Sequence, residues 1–224
     1  ATSLLLLAFW VVPAVSHSWL ACVDYEADSG QCRGYARNWF NVMRGASFFT
    51  DRGRDNRPGT DFPEGLVCDQ RKEARTDPVT AAYDETYPMA NLFIGQTVRW
   101  RWPAKNHATV GVQRGVQVFI SPQPNANTDA FKPQPIAEMD FSKCDPPRPN
   151  VDNADCQDTW VVPADTQPGI HTLMWWWEFN QGEFYNSCAD VNILRPGVPF
   201  PTAAPTSPTA QPTPGSGGGA EAEV

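Results

Sequence analysis

Alternation of apolar and polar residues restricts this chain more than any other feature. In residues 98–102, valine and tryptophan alternate with arginine, and residues 116–120 repeat the same period. A third apolar run at 170–179 carries three consecutive tryptophans, and a turn at 180–182 leads into 183–194. A period of two predicts strands with one buried face. We therefore predict an all-β protein, an immunoglobulin/fibronectin-like β-sandwich with long disulfide-stapled loops and little helix, with 69–86 as a candidate short helix.

Six cysteines form the second constraint on the fold. In a secreted chain they indicate three disulfides, and six cysteines allow 15 pairings. A zinc site is disfavoured because the chain has no Cys-x-x-Cys pair. We favour two local bridges and one long one, which are Cys22–Cys32, Cys144–Cys156 and Cys68–Cys188.

The two ends of the chain differ in composition from its middle. Residues 1–16 are uncharged, contain the apolar run Leu4–Val12 and end in Ala14-Val15-Ser16, which predicts a signal peptide cleaved after Ser16. Residues 196–224 are rich in proline, threonine and glycine, which predicts a disordered tail or linker. Between them, 17–195 should form one secreted, extracellular domain.

A mature chain that begins at His17 offers two nitrogen donors on one residue, the α-amine and the imidazole. His107 follows the first predicted strand and precedes the second, where a loop histidine can supply a third nitrogen. Three nitrogens with the Tyr185 oxygen at longer range suit Cu(II), whereas zinc prefers a tetrahedron. Glu183 shares a strand face with Tyr185 and is a candidate hydrogen-bonding or proton-handling group. The sequence thus predicts one copper ion per chain, with metal ligands His17, His107 and Tyr185.

Each of these residues also has a structural interpretation. Taken alone, His107 would be a surface histidine, Tyr185 a core aromatic and Glu183 a charge at the sheet rim. His171 lies near the start of its strand, in register with the alternating residues that follow, and we interpret it as structural.

Together these parts resemble the lytic polysaccharide monooxygenases. The resemblance rests on His17-Ser-Trp, on the His107 loop leading into 116–120, and on Phe184-Tyr-x-x-Cys-Ala-Asp-Val191, so it spans residues 17 to about 194. Residues 17–25 and 32–39 look most like the oomycete pectin-active group, auxiliary activity family 17. The resemblance implies His17 and His107 as equatorial copper ligands and Tyr185 as the axial residue. Many members of the superfamily have glutamine where this chain has Glu183.

The resemblance also implies an activity. It is oxidative cleavage of glycosidic bonds by hydroxylation at C1 or C4, with an external electron donor and hydrogen peroxide or O2 as co-substrate. Pectic homogalacturonan is the favoured substrate, and cellulose is the other one considered. Candidate contacts are arginines for galacturonate carboxylates, or aromatic side chains that would stack on a neutral glucan: Arg44, Arg52, Arg54 and Arg57, or Trp19, Tyr25 and Tyr35.

Net charge and hydropathy argue against two kinds of partner, nucleic acid and membrane. The net charge of −8 in a secreted protein argues against nucleic acid, and no segment outside the leader approaches the ~20 apolar residues that span a membrane. We expect a monomer acting on a polysaccharide. Two alternatives stay open, a non-catalytic copper-binding protein with the same ligands for copper uptake or storage, and a metal-free carbohydrate-binding module.

Overall fold

A computed structural model of the chain describes residues 18–39, 66–68, 73–104, 115–126, 128–130, 134–141, 143–145, 155–180 and 183–197. Within these ranges no helix has the length and apolar character needed to cross a bilayer. The described residues form ten strands in chain order: β1 Tyr25–Glu26, β2 Gln31–Cys32, β3 Ala90–Phe93, β4 Thr97–Pro103, β5 Val116–Ile120, β6 Pro135–Met139, β7 Cys144–Asp145, β8 Asp155–Val161, β9 Gly169–Asn180 and β10 Glu183–Leu194.

The strands form two main sheets and a small hairpin. The larger sheet has the order β3-β10-β9-β5-β6, and the smaller has the order β4-β8-β7. Strand β3 runs parallel to β10, whereas the other pairs are antiparallel. The predicted all-β sandwich with little helix is confirmed.

The core lies between the two sheets and is built from the alternating residues. Val98, Trp100 and Trp102 of β4 are fully buried, as are Trp175 and Trp177 of β9, and all five belong to one hydrophobic cluster. Each fully buried aromatic side chain removes on the order of 150–250 Å² of surface from water. The tryptophans are therefore the main reason that these two sheets pack together.

Loops cover the outer face of the larger sheet. Met174 of β9 and Cys188 of β10 point to that face and pack with Val67 and Phe119. Of the predicted short helix at 69–86, residues 73–86 are described, and within them the helix is limited to a 3-10 turn at Val79–Ala82. The backbone is extended at both flanking residues, Pro78 and Tyr83, and this ends the turn on each side.

Three disulfides staple the sandwich and its loops. The structure joins Cys22 to Cys32, Cys68 to Cys188 and Cys144 to Cys156, the set favoured from the sequence. The long bridge ties the loop layer to β10, and the two local bridges join the first hairpin to the preceding segment and β7 to β8. Three bridges in one small domain fit an oxidising, extracellular environment.

Candidate metal centre

The first described residues run along the edge of the smaller sheet. The backbone amides of Ala21 and Cys22 donate to the Arg101 carbonyl at 3.0 and 3.1 Å, and the Arg101 amide donates back to Cys22 at 3.0 Å. Further along, the Ser18 hydroxyl donates to the Pro103 carbonyl at 2.7 Å. The segment therefore runs antiparallel to β4, and Ser18 lies beside the end of that strand.

This contact bears on both histidines named as metal ligands. His17 directly precedes Ser18, and His107 comes four residues after Pro103. Both histidines lie outside the described residues, so their own positions are not part of the structure. What the structure does show is that the chain segments leading to them meet at one end of β4.

A second contact joins the same segment to the larger sheet. The Leu20 amide donates to the Ser187 hydroxyl at 3.2 Å, and Leu20 and Ser187 are both fully buried. Ser187 is two residues beyond Tyr185 on β10, so the two side chains share a strand face. The N-terminal segment is thus held between β4 and the Tyr185 region of β10.

Tyr185 lies on the core-directed face of β10, as strand alternation predicts. It is fully buried, and its ring lies 6.2 Å from that of Trp177 with an interplanar angle of 24°. Trp177 in turn stacks on Phe141 at 3.6 Å and 4°. A ring packed in this column has little rotational freedom, so the tyrosine is rigidly positioned.

Sheet pairing brings Tyr185 into line with the start of β5. Tyr185 is opposite Trp177 on β9, and Trp177 is opposite Val116 on β5. The segment that contains His107 connects Pro103 of β4 to Val116. This connection therefore begins and ends at the same end of the sandwich. The Ser18 contact and Tyr185 lie at that end as well.

Glu183 is described only through its backbone. It pairs with Asn180 at the β9–β10 turn, and the pairing shifts between Glu183 and Phe184. A register shift bends a strand locally and alters the direction of nearby side chains. The predicted role of Glu183 in hydrogen bonding or proton handling depends on a side chain outside the described part of the structure.

His171 has a structural environment. It is 2% exposed, with Nδ1 at 2.8 Å from the Ser121 carbonyl and Nε2 at 2.8 Å from the Gln167 carbonyl. Both ring nitrogens are thus occupied by loop backbone. His171 is also six residues from Trp177 on β9, which places it about 20 Å along the strand from the Tyr185 level. These contacts agree with the structural interpretation of this histidine.

A buried ionic network beneath the loop layer was not predicted. The Arg37 guanidinium, fully buried, contacts Asp190 at 2.6 and 2.7 Å and Asp129 at 2.7 Å. Burial by itself would lower the pKa of Arg37, but the attraction of Asp190 and Asp129 outweighs it and raises that pKa. The Tyr83 hydroxyl joins the network by donating to Asp190 at 3.1 Å.

The network fixes the segment that packs on the N-terminal residues. The Arg37 amide donates to the Cys188 carbonyl at 3.0 Å, which holds residues 35–39 against β10. Ala36 and Trp39 of that segment form a hydrophobic cluster with Trp19. Because Trp19 is fully buried there, its predicted stacking on a glucan is wrong. No local pattern marks this network, because its members are far apart in sequence.

The other two aromatic residues predicted to stack on a glucan, Tyr25 and Tyr35, each pack against a neighbouring side chain, and their stacking on a glucan stays a prediction. The Arg101 guanidinium covers the Tyr25 ring at 4.7 Å, and Tyr35 meets Tyr87 edge-on at 5.1 Å. Arg44, Arg52, Arg54 and Arg57 lie outside the described residues. Within the described ranges no group of three His, Cys, Asp or Glu side chains is arranged to hold a metal. That finding does not include His17 and His107.

Comparison with known proteins finds structural similarity alone. Neither a family model nor a curated protein matches the sequence. Solved structures that resemble the chain include the cellulose-active lytic polysaccharide monooxygenase CelS2 in complex with copper, at 14% identity and a TM-score of 0.44, covering 79% of this chain and 98% of that one.

Two further structures show similarity of the same order. A lytic polysaccharide monooxygenase important for chitin utilization in Cellvibrio japonicus has 12% identity and a TM-score of 0.43, covering 79% of this chain and 99% of its own. One from Kitasatospora papulosa has 15% identity and a TM-score of 0.40, covering 80% and 98%. Similarity this distant says nothing about the activity of this chain.

Proposed function

We propose that this protein is a secreted copper-dependent monooxygenase that cleaves glycosidic bonds of a polysaccharide. The observation that carries the proposal is the Ser18–Pro103 hydrogen bond. It joins the residue after His17 to the strand end from which the His107 segment departs. Two imidazoles and one terminal amine at a single sheet end make a donor set that suits Cu(II).

The proposal requires processing of the chain. Residues 1–16 are removed as a signal peptide, 17–195 form the catalytic domain and 196–224 form a disordered tail or linker. His17 would then hold copper through its α-amine and one ring nitrogen and His107 through a third nitrogen, with Tyr185 as the remaining ligating residue. The α-amine binds metal only when unprotonated, so copper affinity falls as the pH drops through the ordinary pKa of about 7.7–8.0.

The contacts of the described residues would hold the ligands of such a centre in fixed positions. Bound copper would supply the electron-transfer chemistry for oxidative cleavage, with an external reductant and hydrogen peroxide or O2. The chain itself keeps the ligands in place: Ser18 and Leu20 anchor the N-terminal segment to both sheets, and Trp177 restrains the Tyr185 ring. Fixed ligands limit the reorganisation that a change of oxidation state demands.

The substrate is a polysaccharide, and we favour pectic homogalacturonan on the resemblance of residues 17–25 and 32–39. Arg44, Arg52, Arg54 and Arg57 would then bind galacturonate carboxylates. Glu183 is proposed to hydrogen-bond or to handle a proton near the copper. Reversing the charge of Arg54 should weaken pectate binding and leave copper affinity unchanged.

Product analysis tests the activity. The secreted protein is incubated with pectin or cellulose, copper and a reductant, and the products are examined by mass spectrometry for oxidised oligosaccharides. These products should form with the native chain, persist in Asn106→Ala and vanish in His107→Ala. Asn106→Ala is the matched control because it alters the neighbouring residue without removing an imidazole.

Other outcomes would replace the proposal. Copper binding by the native chain without oxidised products from either polymer would favour a copper carrier. Absence of a copper site would favour a metal-free carbohydrate-binding module. Oxidised products that persist undiminished in His107→Ala would rule out the proposed ligand set.

A further inference from the structure

A surface cavity of about 480 Å³ lies beside the first hairpin, away from Tyr185. It is lined by Asp24, Arg33, Asn91, Phe93 and Gln96. The lining combines an aromatic ring, two side-chain amides and a carboxylate–guanidinium pair. A few convergent polar groups around an apolar surface are typical of small-ligand sites.

The two amides offer hydrogen-bond donors to this cavity. The Gln96 Oε1 atom accepts from the Phe93 amide at 2.8 Å, and the Asn91 Oδ1 atom accepts from Asn192 at 2.9 Å. Because these contacts occupy the oxygens and fix the side chains, the NH2 groups are the donors left for a ligand. Two anchored donors suit the lone pairs of hydroxyl groups.

The charges at the cavity oppose an anionic ligand. Asp24 is buried, with 5% of its surface exposed, and is bound by Arg33 at 3.1 Å; Arg33 also contacts Glu26 at 3.3 Å. One guanidinium between two carboxylates leaves no net positive charge to attract an acid. The Asp24 oxygens can still accept hydrogen bonds from neutral hydroxyl groups.

We propose that this cavity binds a neutral hexopyranose unit of a polysaccharide. Adjacent sugar hydroxyls would hydrogen-bond to Asn91, Gln96 and Asp24. The partly exposed Phe93 ring would cover the apolar C–H face of the pyranose. Aromatic side chains supply such contacts at little cost in conformational entropy, and buried polar partners set the orientation.

The site is separate from the proposed copper centre and does not depend on it. Phe93 pairs with Leu194, which is nine residues after Tyr185 on β10. The two places are therefore about 30 Å apart along the strand. A second attachment point at that distance would hold the protein on an insoluble polymer without changing chemistry at the first.

Titration of neutral oligosaccharides into the secreted protein tests the proposal. The probes are cellohexaose and a β-linked galactohexaose, with an oligogalacturonate of equal length as the anionic comparison. Binding is followed by nuclear magnetic resonance, which also reports the residues affected. The variants are Phe93→Ala and Gln96→Glu, the second of which keeps the acceptor for the Phe93 amide but removes the NH2 donor. Gln123→Ala alters an exposed amide outside the cavity and is the control.

At least one neutral hexaose should shift resonances around the cavity. Both variants should bind that hexaose at least about tenfold more weakly than the native chain does. The control should bind as the native chain does. Binding of neither neutral probe, undiminished binding by Gln96→Glu, or preferential binding of oligogalacturonate at these residues would overturn the proposal. Copper titration of the same variants should be unchanged, so failure here is distinguishable from failure of the proposed copper function.

Discussion

Replacing Arg37 with methionine tests the buried ionic network most severely. Among the described residues, the guanidinium donates hydrogen bonds to both oxygens of Asp190, to Asp129, to Thr172 and to the Glu73 carbonyl, over distances of 2.6 to 3.2 Å. Its side chain is 0% exposed, and the two carboxylates are each 1% exposed.

The magnitude follows from what the substitution leaves behind. Methionine fills much of the volume but leaves Asp129 and Asp190 buried with less compensation. Removing one partner of a buried ion pair costs roughly 3–5 kcal/mol, because the remaining charge stays desolvated. We therefore expect Arg37→Met to lower the free energy of unfolding by about 4 kcal/mol, which is a large part of the stability of an ordinary domain.

Denaturant unfolding with a matched arginine measures this difference. Arg33→Met removes a side chain that is 50% exposed, and its partners are the buried Asp24 and the 42% exposed Glu26. Because the guanidinium stays largely in water, we expect its loss to cost about 1 kcal/mol, well below the cost for Arg37. The midpoint should fall sharply for Arg37→Met and little for Arg33→Met, with similar denaturant slopes.

Neutralising the stranded carboxylates completes the test. Adding Asp129→Asn and Asp190→Asn to Arg37→Met should recover part of the lost stability, since the penalty comes from uncompensated charge. If the free energy of unfolding of Arg37→Met is within about 1 kcal/mol of the native value, the network does not contribute the proposed stability.

Three further perturbations probe the fold and its N-terminal anchor. Burial raises the pKa of Tyr83 well above its usual 10, so the neutral hydroxyl favours the folded state. This contribution to stability is present below pH 10 and is lost as the pH rises further. An absorbance titration should therefore show Tyr83 ionising only when the protein unfolds. Ser18→Ala removes the donor to Pro103 and should cost about 1 kcal/mol in denaturant unfolding while weakening copper binding, so an unchanged affinity would contradict the anchoring role. Replacing Cys68 and Cys188 by serine opens a bridge of sequence separation 120, for which chain entropy predicts a loss of about 5 kcal/mol, and a melting temperature close to native would refute that estimate.

The strands could be predicted because their signal is local. Alternation placed Val98, Trp100 and Trp102 on one buried face, and the same rule placed Tyr185 opposite to Cys188. A period of two follows directly from strand geometry, so it can be read without any knowledge of neighbouring strands.

The contacts between distant segments could not be predicted in the same way. Arg37 is 92 residues from Asp129 and 153 from Asp190, and Ser18 is 85 from Pro103. Arginine and serine are ordinarily surface residues, and nothing in their immediate sequence indicates burial. Their partners are determined by the strand order, including the parallel pairing of β3 with β10, which hydrophobic alternation alone leaves open.

Residue chemistry alone indicates the candidate copper ligands, because a terminal histidine at His17 and a loop histidine at His107 together supply three nitrogens. The structure adds the Ser18 and Leu20 anchors, for which the sequence offers no separate signal. The assignment of His17, His107, Tyr185 and Glu183 to copper chemistry stays a prediction.

The most direct test is calorimetric titration of Cu(II) into the secreted chain and into a form that carries one additional glycine before His17. The extra residue displaces the free amine from the histidine and leaves the rest of the sequence intact. We predict one copper ion per chain for the native protein and clearly weaker binding for the extended form. Equal affinity in both forms, or no copper binding by a chain shown to begin at His17, would contradict the proposed centre.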